Sequence, residues 1–117
     1  MALLIHLANC GLFYRFLTQF FGFSQKHAIF GATFFLFSAA GFETLIWNCC
    51  LGYLMTAFFL FLALNLITLF ERITLYRTSF LMGVIQFLAV ATWDWGILLT
   101  PICFIAVLSK HNLNTSL

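Results

Sequence analysis

The chain has 117 residues, 64% of them hydrophobic and 7% charged, with mean hydropathy +1.10 and net charge +2, far from the roughly 25% charged residues of a soluble domain. A water-soluble fold of this size has too much surface for its volume to hide so many apolar side chains, so composition points to a bilayer as the solvent. Five Lys and Arg in all, with no basic run, argue against a nucleic-acid partner, and four cysteines without paired C-x-x-C spacing argue against a cysteine-built metal site.

Residues 1–23 open on "ALLIHLANCGLFY", which lacks the basic leader and the A-x-A site of a cleaved signal peptide. Arg15 and Gln19 would lie below the surface if residues 2–22 crossed fully. The segment is therefore expected either to lie along the inner interface with Arg15 snorkelling, or to make a short crossing over residues 2–14.

Residues 28–47 supply about 30 Å of apolar helix, enough for one crossing. Ala28, Ala32, Ala39 and Glu43 fall on one face, a small-residue stripe suited to close helix approach. Residues 49–70 are expected to form a second crossing, with a matching stripe of Cys49, Gly52, Thr56 and Ala63. The break at Trp47-Asn48 would make the two a hairpin in which the stripes meet. Near the far end Asn65, Thr68 and Arg72 share a face, where bonding across helices is the commonest use of such groups.

Residues 78–108 would make a single helix of about 46 Å, half again the thickness of the hydrocarbon. Trp93, Asp94, Trp95 and Gly96 interrupt the run with the residues that favour a headgroup-level turn, so two short spans, 78–93 and 96–109, are expected instead. With that turn, Lys26, Arg72, Arg77 and Lys110 fall on one side, and Glu43, Trp47, Trp93, Asp94 and Trp95 on the other. This is the sorting of the positive-inside rule. Gly83, Gln86, Val90 and Asp94 share a face of the third span.

The candidate intramembrane interaction residues are Glu43, Asn65, Gln86 and Asp94, and the candidate inner-face lipid headgroup contacts are Arg15, Lys26, Arg72 and Arg77. Glu43 and Asp94 are expected at similar depth. Two such carboxylates suit either proton handling or a hydrated place among the outer headgroups, and the second is the commoner case. His6, His27 and His111 stand at no i, i+3 or i, i+4 spacing, so no haem, metal or other cofactor is expected. Seventeen phenylalanines occur in blocks such as "FFLF" that surround a helix instead of marking one face. A helix apolar all round is buried in lipid or in other protein.

The expectation is one all-α membrane domain over 1–117, a polytopic integral membrane protein with four transmembrane helices, or five if residues 1–23 cross. It would lie in a bacterial or organellar inner membrane with its basic loops and C-terminus inside. Its expected role is that of an accessory subunit of a larger energy-transducing or transport complex, not itself an enzyme, with other membrane subunits and lipids as partners. The rival is a small homo-oligomeric transporter or channel with a polar path at Glu43, Gln86 and Asp94.

Overall fold

The computed structural model describes residues 1–38, 51–69 and 75–115. They form α1 (Ala2–Gln19), α2 (Gln25–Leu36), α3 (Leu51–Thr68), α4 (Leu75–Thr92), a 3-10 segment (Asp94–Leu98) and α5 (Leu99–Thr115), with no strand among the described residues. Leu and Ala lose little rotamer freedom in a helix and offset the χ1 restriction of the many phenylalanines, and the breakers Gly22, Trp93 to Gly96 and Pro101 all fall at or near helix ends. Of the described helices, α3 is the one long and apolar enough to cross a membrane, with mean hydropathy 1.9. Arg77–Thr92 and Gly96–Leu108 are apolar but shorter.

Successive helices alternate in direction. Asn9 lies beside Leu54 and Gln19 beside Thr68, so α1 runs parallel to α3. His6 meets Leu36 while Leu17 meets Gly31, so α2 returns antiparallel to α1. Trp93, just past the end of α4, packs on Gly52 at the start of α3. From there α5 runs back along α3. The central α3 thus has α1 on one flank and α4 with α5 on the other, in a slab of 45 × 35 × 19 Å.

The main core joins Phe59, Ala63 and Ile67 of α3, Ile85 and Ala89 of α4, and Leu99, Cys103 and Ala106 of α5. Steps of three and four residues keep each set on one helix face. A second cluster fills the meeting of α1, α2 and α3. There His6 and Phe13 both pack on Phe35, and Phe61 touches Phe13 and Phe35, with ring centroids 5.3 to 5.6 Å apart.

Three expectations are modified. The helix expected over 28–47 begins earlier, at Gln25, and closes at Phe37. There the Ser38 hydroxyl donates to the Phe35 carbonyl at 2.9 Å, the local competition with helical bonding that serine side chains offer. Residues 39–47 lie outside the described ones. Among the described residues α1 packs against both α2 and α3, and Gly52 of the expected α3 stripe receives the Trp93 ring, while Ala39, Glu43 and Cys49 of the two stripes lie outside them. On α4 the buried line is Thr78, Ile85 and Ala89, while Gly83, Val90 and Asp94 are exposed.

Two glycines are set by geometry. Gly22 takes φ +66° between α1 and α2, a conformation open to glycine at little cost. Gly96 sits directly on the Ala89 and Val90 backbone, where any Cβ would collide. Pro101 lies in the first turn of α5, where the missing N–H leaves no bond unmade.

Candidate functional site

The buried polar side chains gather where helices cross, not along one open path. On α1, His6, Asn9, Phe13 and Leu17 recur at steps of three, four and four and face α2 and α3. His6 is 1% exposed and Asn9 0%. The His6 ring meets the Leu36 carbonyl at 3.1 Å, which requires the proton on Nε2 and leaves Nδ1 an acceptor. Asn9 Nδ2 donates to the Leu54 carbonyl at 3.0 Å. Each contact carries a side chain of α1 onto the backbone of a neighbouring helix.

Neither His6 Nδ1 nor Asn9 Oδ1 has a hydrogen-bond partner among the described residues. His6 and Asn9 were not among the residues singled out from sequence. Their i, i+3 spacing is the one signal in the sequence, and it takes meaning only once residues 1–23, legible either as an interfacial helix or as a short crossing, stand beside α2 and α3.

At the other end of α1, Asn65 of α3 donates to the Leu12 carbonyl at 2.9 Å and to Phe61 of its own helix at 2.8 Å. Beyond it the Thr68 hydroxyl approaches Gln19 Oε1 at 3.0 Å. Of the expected face of Asn65, Thr68 and Arg72, Asn65 bonds across to α1, Thr68 lies beside Gln19 while its hydroxyl donates to the Asn65 carbonyl at 2.6 Å, and Arg72 lies outside the described residues. So does Glu43.

Gln86 lies half-buried, donating from Nε2 to the Gly96 carbonyl at 3.2 Å. It therefore braces the turn after α4. The expected turn at Trp93–Trp95 corresponds to Trp93 in extended conformation followed by the 3-10 segment, whose first residue, Asp94, is exposed. The Trp95 side chain lies outside the described ones.

Helix direction sorts the charges. Arg15, Lys26 and Arg77 are all exposed at the end where α1 and α3 finish and α2 and α4 begin, with Asp94 at the opposite end. Near Lys26, Ser24 Oγ and His27 Nδ1 lie 2.7 Å apart. Among the described residues no three His, Cys, Asp or Glu side chains come together as metal ligands. Cys10 is half-buried and Cys103 buried, both as free thiols.

These features define an all-α bundle with polar ties between helix backbones and a wide apolar exterior. No protein-family model, curated protein or solved structure matches the chain.

Proposed function

We propose that the chain is an integral membrane subunit of a larger energy-transducing or transport complex in an inner membrane, acting by packing and not by catalysis. The observation that carries this reading is the inverted exterior. Phe30 and Phe34 of α2 are 75% and 72% exposed, and Phe80 and Phe87 of α4 are 72% and 73% exposed, on helices either side of α3. Exposed apolar area on that scale marks contact with lipid or protein in a chain that persists.

If α3 crosses the bilayer, α1 crosses beside it, because the two helices run parallel and are tied at Leu54 and Asn65. That favours five crossings, with Arg15, Lys26 and Arg77 on the inner side and Asp94 on the outer. The inner cations would meet anionic headgroups. The ring cluster and the polar ties fix helix order within the slab, while the outward phenylalanines fill grooves on a core subunit.

Gentle extraction from the native membrane, followed by identification of what co-purifies, tests the reading. A stoichiometric larger subunit is expected, and the chain purified alone should aggregate in mild detergent. A stable, active monomer would overturn the proposal. The transporter reading requires Glu43, Gln86 and Asp94 to act together. Loss of liposome flux in Glu43→Gln would support it.

A further inference from the structure

The geometry points to a lipid site on the outer half of the slab: the groove between α3 and α5 takes one acyl chain of an amine-bearing zwitterionic phospholipid, with its ammonium group at Asp94. The site rests on the membrane-spanning reading above. It is separate from the inner basic residues.

The groove is lined by Tyr53, Thr56, Ala57 and Leu60 of α3 and by Leu99 and Ile102 of α5, and encloses about 260 Å³. From Tyr53 to Leu60 it runs about 10 Å along α3. The volume lies just under the roughly 300–1,000 Å³ of pockets for drug-sized ligands, and an elongated apolar groove of that length suits a segment of one flexible acyl chain.

Polar groups sit at one end only. Tyr53 is 45% exposed and its ring meets that of Trp93 in a tilted contact, centroids 5.2 Å apart. A tyrosine and a tryptophan together are the pair enriched at headgroup level, each with an apolar body and a polar tip. Trp93 Nε1 is a buried donor with no partner among the described residues. Asp94 follows Trp93 directly and is exposed, and the 3-10 segment beginning there delivers the chain to Leu99 on the groove wall.

Charge then selects the headgroup. The described cationic side chains Arg15, Lys26 and Arg77 are all at the opposite end of the helices, and the N-terminal ammonium at this end belongs to α1 on the other flank of α3, so among the described residues the charged side chain at the mouth of the groove is the Asp94 carboxylate. An anionic phospholipid is repelled there, whereas an ethanolamine headgroup offers three N–H donors to the carboxylate. One charge at a membrane surface gives a preference of about fivefold.

The test uses the full chain with Trp47→Phe and Trp95→Phe, leaving Trp93 as its sole tryptophan, in vesicles of equal phosphatidylethanolamine and phosphatidylglycerol. The acyl chains of one lipid are brominated at a time, so composition stays constant and only the quencher moves. Trp93 emission is expected to report an association about fivefold stronger for phosphatidylethanolamine. Asp94→Asn should bring the two lipids level. Ala57→Phe and, from the opposite wall, Ile102→Phe should each remove the excess quenching, with helicity by circular dichroism verifying the fold. Equal quenching in the parent chain, or a preference that survives both groove-filling changes, overturns the lipid site. Absence of quenching by either lipid overturns instead the spanning reading on which the site rests.

Discussion

At Gly96 the absence of a side chain does structural work that a second glycine in the same hairpin does not do. A Cβ there would meet the backbone of Ala89 and Val90, whereas one at Gly83 would meet open space. Gly96→Ala is therefore expected to cost about 1–3 kcal/mol through overpacking, and Gly83→Ala to gain up to about 1 kcal/mol from helix propensity. Unfolding in mixed micelles with increasing dodecyl sulfate, followed by circular dichroism, would separate them; equal shifts would contradict the close approach. Asn9 permits a finer distinction, since its amide ties α1 to Leu54 while its Oδ1 has no partner among the described residues. Asn9→Ala should destabilise by about 1 kcal/mol, from a lost interhelical bond and lost volume. Asn9→Leu restores volume and removes the unpaired acceptor, so it should cost less in the same titration. At this scale the sequence is legible for Asn65, where a lone amide in an apolar run needs a partner and the partner is a backbone carbonyl. It is not legible for His6 and Asn9, because their surroundings depend on whether α1 lies flat or stands beside α3, and composition favours neither.

Elements were readable where length alone decides. Thirty-one mostly apolar residues are too long for one crossing, and the chain turns after Thr92, where that run's cluster of tryptophans, an acid and a glycine falls. The end of α2 at Leu36 is not legible in the same way, since Ser38 is one small residue among many and its backward bond to the Phe35 carbonyl is of a kind that also occurs within helices. Neighbour choice was the least legible feature. Small-residue stripes state that a helix can be approached closely but not by which partner, and α1, legible either as interfacial or as a short crossing, packs against both α2 and α3. The standing of α1 makes a direct prediction. With Cys10, Cys49, Cys50 and Cys103 replaced by serine, single cysteines at positions 2, 26 and 94 should label with a membrane-impermeant maleimide in the order outer, inner, outer. Position 2 labelling with position 26 would return α1 to the inner interface, and position 26 labelling with position 94 would overturn the sidedness.

Across the whole molecule, the distribution of phenylalanine separates what holds the chain together from what it offers to others. Phe59 is 8% exposed in the cluster shared by α3, α4 and α5, whereas Phe34 is 72% exposed on the far side of α2. Truncating a buried phenylalanine costs about 3–5 kcal/mol, because the vacated volume is not refilled. Truncating an exposed one removes area that lipid covers equally well in the isolated chain, so Phe34→Ala should leave micellar unfolding almost unchanged. In a complex the order reverses. If the outward faces of α2 and α4 pack on a core subunit, Phe30→Ala with Phe34→Ala, or Phe80→Ala with Phe87→Ala, should reduce the yield of that subunit on gentle extraction. Stability measured on the isolated chain and partner yield measured from the native membrane are thus expected to respond to different phenylalanines. Were Phe59→Ala to lower both and the four outward changes neither, the outward rings would face lipid alone, and the packing role would fall while the membrane fold stood.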